Sequence, residues 1–199
     1  MTRVLLAFVL VAAPALASAQ TAGRIGLGLS TTVNVTPDGD VGTGVGVGAL
    51  VRLNPRSGWG ASGAFNWLEA DMSNPAGTPG EFARLRIRPL MGGISYNIVT
   101  GRLLTSVSVV GGPSFNSVRF DGRFPRSAVA AIDVSNSVAL RPGIGLTYSL
   151  RPRVALVGFG GYMLNRPDIV YRDSTGTEFR DQWRADAVVL SIGAVYSLF

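Results

Sequence analysis

Apolar and small or polar side chains alternate one by one along most of this chain, and that period confines it to β-structure. In the stretch 137–150, Val138, Leu140, Pro142, Ile144, Leu146, Tyr148 and Leu150 fall on one face. Ser137, Ala139, Arg141, Gly143, Gly145, Thr147 and Ser149 fall on the other. A period of two puts alternate side chains on opposite sides of a strand, whereas a helix needs a period near 3.6. Read this way, the chain divides into eight strands, at about 24–35, 41–54, 58–71, 81–98, 103–118, 130–150, 154–165 and a last one ending at 199. Strand one sets Leu27, Leu29, Thr31, Val33 and Val35 against Gly26, Gly28, Ser30, Thr32 and Asn34. Strand two sets Val45, Val47, Ala49, Val51 and Leu53 against Gly44, Gly46 and Gly48. The 26 glycines are well above the ordinary share of about 7 % and concentrate on the polar faces.

The connections also alternate. Short turns at 55–57, 100–102 and 151–153 are interleaved with longer loops at 72–80, 119–127 and 166–182, although the first connection on the long-loop side, 36–40, is short. No segment after the N-terminus supplies the roughly 18 consecutive apolar residues of a membrane helix. A sheet with a greasy face on every strand needs a bilayer on that side, and in a bilayer every backbone N–H and C=O must be paired within the protein, so the sheet must close. The expected fold is therefore all-β: an eight-stranded antiparallel up-and-down transmembrane β-barrel, with short periplasmic turns and longer outer loops. Eight strands enclose an interior just wide enough for side chains, which suits inward glycines opposite larger groups. Trp59, Trp67, Tyr96, Tyr148, Trp183 and Tyr196 fall near strand ends, where aromatic girdles belong. Strands four and seven leave their lipid-facing register open. In strand seven both Val154/Leu156/Tyr162/Leu164 and Val157/Phe159/Met163 are apolar series.

Both ends carry an address. Arg3, an apolar run from Val4 to Leu16 and Ala17-Ser18-Ala19 make residues 1–19 an expected cleavable signal peptide, leaving 20–199 as one barrel domain. There is no Cys, hence neither a lipid-attachment site nor a disulfide. The chain ends on Phe199, as bacterial outer-membrane barrels usually do. The expected localisation is the outer membrane of a Gram-negative cell, with barrel-assembly machinery as a partner through the last strand. Phe199 stands one step out of the apolar series Val188, Leu190, Ile192, Ala194, Tyr196, Leu198.

Charge offers the only internal chemistry. Arg84, Arg86 and Arg88 alternate with Leu85 and Ile87 and must share one face; with Arg141, Glu69 and Asp186 they form a candidate lumen charge network. Such a network reads either as a structural set of salt bridges or as a narrow anion-selective path. Arg119, Arg123 and Arg126 in one loop, and Arg172, Phe179 and Arg180 in another, mix cations with aromatics and are candidate surface contacts for lipopolysaccharide or an acidic polymer. All 18 basic residues are Arg, and the net charge is +6. With no His, Cys or Lys, the Ser-His, Cys-His and Ser-Lys nucleophile pairs and imidazole metal sites are excluded, so no catalytic residue, metal or cofactor is expected. Gly42-x-Gly44-x-Gly46-x-Gly48 follows strand period with no helix behind it, unlike a nucleotide-binding loop, and no nucleic-acid partner is expected.

Arg88-Pro-Leu-Met-Gly-Gly-Ile-Ser-Tyr96, Arg141-Pro-Gly-Ile-Gly-Leu-Thr-Tyr-Ser-Leu150 and Gly193-Ala-Val-Tyr-Ser-Leu-Phe199 resemble the OmpA/OmpX/OmpW-like family of small outer-membrane β-barrels. The resemblance spans nearly all of 20–199 and implies an eight-stranded membrane barrel with a role in envelope integrity, adhesion or passage of small solutes. The reading favoured here is a non-enzymatic structural or surface-interaction barrel whose partners are outer-membrane lipid and lipopolysaccharide. The alternatives are a narrow channel for small or hydrophobic solutes and a soluble periplasmic lipocalin-like ligand-binding barrel.

Overall fold

A computed structural model describes residues 24–37, 41–54, 57–73, 81–120, 131–172, 178–182 and 184–198. The expected signal peptide, the loop residues Arg123 and Arg126, and the terminal Phe199 lie outside the described residues. The long strands are β1 (Arg24–Val35), β2 (Val41–Asn54), β3 (Gly58–Ser73), β4 (Glu81–Thr100), β5 (Leu103–Phe120), β7 (Ser137–Arg151), β8 (Val154–Asn165) and β11 (Ala187–Ser197). They close into a single barrel in the order β1-β11-β8-β7-β5-β4-β3-β2. Closure is antiparallel, with Gly26 opposite Ser197 and Val35 opposite Val188. Eight strands, antiparallel and closed, were all legible in the alternation.

Two sequence expectations need correction. The sixth strand is interrupted: Ala131–Val134 forms a separate β6, and the barrel strand β7 starts at Ser137. The region 166–182 is not a simple loop. It contains β9 (Asp168–Arg172) and β10 (Glu178–Gln182), which pair with each other and with β6 in a three-stranded sheet ordered β10-β9-β6. Val134 and Ile169 are buried there, and Ser135 N–H donates to Asp168 C=O at 2.8 Å. These apolar anchors hold a short sheet, and none of its strands is long enough to announce itself by period.

The outward face is apolar around the wall. Leu29, Val47, Leu90, Ile94, Ile144, Leu146, Leu190 and Ile192 all stand exposed, and Val138 is 78 % exposed. In water that belt would be a large unpartnered apolar surface; in a bilayer it is the contact with lipid. The lipocalin-like alternative, which needs an apolar lumen and a polar exterior, is the reverse of this arrangement. The register of β8 is now fixed: Leu156 and Tyr162 face outward, while Val157 and Met163 are buried. Gly158 and Gly160 share the outward face, and their missing side chains are why two series competed in the sequence.

One end carries the tight turns. Gly101, at φ +61°, takes the left-handed conformation between β4 and β5 that a side chain would oppose. At this end Trp59 and Tyr96 are cross-strand partners on the outer surface, packed edge-to-face with centroids 5.4 Å apart. The other end carries the small sheet.

Candidate functional site

β4 runs for 20 residues and β5 for 18, whereas a tilted strand crosses a bilayer in about 9–11. Both therefore project beyond the apolar band at the end away from the tight turns. With a rise near 3.4 Å per residue and a tilt near 40°, Arg88 stands roughly 20 Å above Tyr96, just inside the upper edge of a band about 25 Å tall, and Arg84 roughly 30 Å, above it. This projection decides which side of the wall the arginines occupy.

Arg84, Arg86 and Arg88 do share one face, as their spacing requires, but it is the outer face and not the lumen. The pairing of β3 with β4 is unbroken from Gly58–Asn97 to Met72–Ala83, so Arg88, Arg86 and Arg84 have the same parity as the exposed Leu90, Ile94 and Tyr96. Leu85 and Ile87, between them, point inward and are buried at 0 % and 4 % exposure. Glu69 is outside too. Its carboxylate accepts from Arg86 Nε at 2.8 Å and lies 4.0 Å from Arg84 Nη1, while Trp67 Nε1 donates to it at 3.4 Å. Arg88 lies over the Trp67 ring at 5.5 Å, and its Nη2 donates to Ser117 at 3.5 Å. On the other flank Arg88 pairs with the exposed Phe115, and Arg84 with the exposed Arg119. The sequence expectation failed because it assigned charge to the lumen along the whole strand. Above the bilayer, the outside of the wall is wet and the charge prefers it.

The lumen is organised in three levels. Nearest the small sheet is a polar collar. Ser114 Oγ donates to Asn116 Oδ1 at 2.9 Å, Asn116 Nδ2 to Ser137 Oγ at 2.9 Å, and Ser137 Oγ to Asn165 Oδ1 at 2.5 Å. Asp186 completes it, accepting from the Asn165 N–H at 2.9 Å and from Arg166 Nη2 at 3.4 Å. Asp186 sits in the barrel mouth, and its charged partner is Arg166 and not Arg84, Arg86 or Arg88. Beside and below the collar is an apolar cap of Leu85, Ile87, Leu68, Met91, Met163 and Val189, all buried, with Ile87 directly opposite Asn116.

Below the cap lies a small polar cavity with an open volume of about 80 Å³. Arg141 faces into it, and so does Arg52 from the opposite wall. Arg52 crosses the lumen to the hydroxyl of Thr147 and reaches Ser106 Oγ at 3.5 Å; Ser106 Oγ in turn donates to Gly145 C=O at 3.3 Å. Arg141 stacks over the Phe159 ring at 4.8 Å. That ring needs the glycines: a Cβ on Gly143 would come within 2.3 Å of it, and one on Gly161 within 2.8 Å. The importance of Phe159 was hidden in the sequence by the two competing registers of its strand.

The loop candidates among the described residues lie on β5, β9 and β10. Arg119 and Arg180 are exposed, on β5 and β10. Arg172 occupies a ladder position in β9 opposite Ala131 and Glu178, and Phe179 pairs with Tyr171. Of the twelve candidate residues, the geometry gathers Glu69, Arg84, Arg86, Arg88 and Arg119 into one outward patch on β3, β4 and β5.

No curated protein matches the sequence. Among solved structures, the chain is similar to the outer membrane protein OprG from Pseudomonas aeruginosa, at TM-score 0.73 and 14 % identity, covering 89 % of this chain and 96 % of that one. A major outer membrane protein from Thermus thermophilus matches at TM-score 0.58 and 16 % identity, over 87 % and 99 % of the two chains. The E. coli outer membrane protein W matches at TM-score 0.54 and 12 % identity, over 89 % and 98 %. At these identities the likeness is one of fold. The sequence itself, however, matches the outer membrane protein beta-barrel domain over residues 4–198, and with a closed barrel whose exterior is built for lipid, the chain belongs to that family of outer-membrane proteins.

Proposed function

We propose that this protein is a non-enzymatic, non-conducting envelope barrel that binds lipopolysaccharide phosphates on the outside of its wall. The observation that carries this reading is the outward patch of Arg84, Arg86, Arg88 and Arg119, which straddles the upper edge of the apolar band beside Trp67 and Phe115. Guanidinium groups bind phosphate oxygens through paired N–H donors, and an aromatic beside them holds the acyl–headgroup boundary. Glu69 engages Arg86 and Arg84 without neutralising the patch, and orients Arg86 along the wall. The apolar cap supports the non-conducting part: a solute path along the axis would have to displace Leu85, Ile87 and Met163.

The test compares the refolded wild-type chain with Arg84→Gln/Arg86→Gln/Arg88→Gln, measuring binding to vesicles of phosphatidylcholine with and without lipopolysaccharide. The wild type is expected to gain affinity with lipopolysaccharide, and the variant to lose most of that gain while still folding and resisting SDS until heated. Equal gain in both proteins would refute the reading. Single-channel conductance in planar bilayers, expected to be absent, tests the closed lumen separately.

A further inference from the structure

The lumen cavity poses a charge problem that the protein's own side chains leave unsolved. Arg52 and Arg141 are each only 8 % exposed, and both line the same cavity of about 80 Å³. No carboxylate lines it among the described residues; the neighbours are Ser95, Ser106, Asn66, Phe159 and other small or apolar groups. The side-chain partners of Arg52 are hydroxyls, and Arg141 Nε has no hydrogen-bond partner. Guanidinium stays protonated at neutral pH. A buried cation without a counter-charge is costly, and two facing one space repel each other as well. Asp186, the one buried acid among the described residues, is committed to the Asn165 backbone and Arg166 on the far side of the apolar cap.

We propose that Arg52 and Arg141 hold a small inorganic anion, of halide to phosphate size, as a permanent occupant of the barrel. A water needs about 10–15 Å³ of such space, so the cavity of about 80 Å³ has room for a hydrated chloride or a single oxyanion. The hydroxyl of Ser95 supplies a neutral donor beside the two cations. The apolar cap closes the site toward the long-loop end, making the anion a structural counter-ion and not a passing solute. The glycines under Phe159 keep the ring flat against the wall, which leaves the space in front of Arg141 open.

The test is thermal unfolding of the full detergent-embedded barrel in millimolar sodium chloride or phosphate, against sodium gluconate at matched ionic strength. A ligand bound by the native state alone raises the midpoint with the logarithm of its concentration. The wild-type midpoint is expected to climb with chloride or phosphate relative to gluconate, and the climb to vanish in Arg141→Met and in Arg52→Met. Equal midpoints for the wild type in all three salts, or the same climb in both variants, would overturn the proposal. Should the variants not fold, wild-type crystals soaked in bromide decide it. An anomalous peak between the two guanidinium groups supports the site, and water alone in the cavity refutes it.

Discussion

The lower and upper halves of the β3–β4–β5 wall follow the same alternation yet set opposite chemistry outside. Near the tight turns, Trp59, Ile94 and Tyr96 face outward while Ser95 and Asn97 are buried inside. Near the long loops, Arg84, Arg86 and Arg88 face outward while Leu85 and Ile87 are buried inside. The backbone does not change between them, since the pairing register of β4 with both neighbours is constant. What changes is the medium. Lipid makes polar groups retreat to the lumen, and the water above it lets the lumen fill with leucine and methionine. Arginine therefore appears on both sides of one wall for different reasons: Arg86 outside, beside Glu69 at the wet rim, and Arg141 inside, against an aromatic ring and a cavity.

This contrast yields stability predictions that differ in size, each read as the unfolding free energy of the barrel in detergent or lipid. Leu85→Ala should cost the most, about 2–5 kcal/mol, because it hollows a fully buried cap. A loss below about 1 kcal/mol would mean that the cap is loosely packed. Ile144→Arg, which puts charge on the lipid face of the lower wall, should cost about 2–4 kcal/mol if that position is near the bilayer midplane. A neutral outcome would move the apolar belt elsewhere. Gly143→Ala should cost about 1–3 kcal/mol by driving a methyl group into the Phe159 ring; Gly158→Ala, with open space where the methyl would stand, is its control. Arg86→Gln should change stability by less than about 1 kcal/mol, since its pair with Glu69 is at the partly exposed surface. A larger loss would indicate that Arg86 is not at the wet rim.

The same contrast explains which features were legible in the sequence. Strand number, turn positions and the two faces of β1, β2 and β7 follow directly from period two, since lipid on one side and a narrow lumen on the other enforce it. The common face of Arg84, Arg86 and Arg88 was legible for the same reason. Which face it was depended on the height of the strand above the membrane, a property of the assembled barrel and not of any local pattern. Phe159 was obscured because its lumen position relies on Gly143 and Gly161, and because Gly158 and Gly160 leave the lipid face of β8 without an apolar signal. The three-stranded sheet of β6, β9 and β10 joins segments too short for period to register, and β6 lies too far from β9 in sequence to suggest a pairing.

The central claim is that Arg84, Arg86 and Arg88 look outward while Leu85 and Ile87 look into the barrel. The chain contains no cysteine, so single cysteines at each position from 84 to 88 can be spin-labelled without background and read in lipid bilayers. Alternation is the expected result: mobile labels in contact with the outside medium at 84, 86 and 88, and immobilised, shielded labels at 85 and 87. Mobile, accessible labels at 85 and 87, with 84, 86 and 88 shielded, would put the arginines back in the lumen and contradict it.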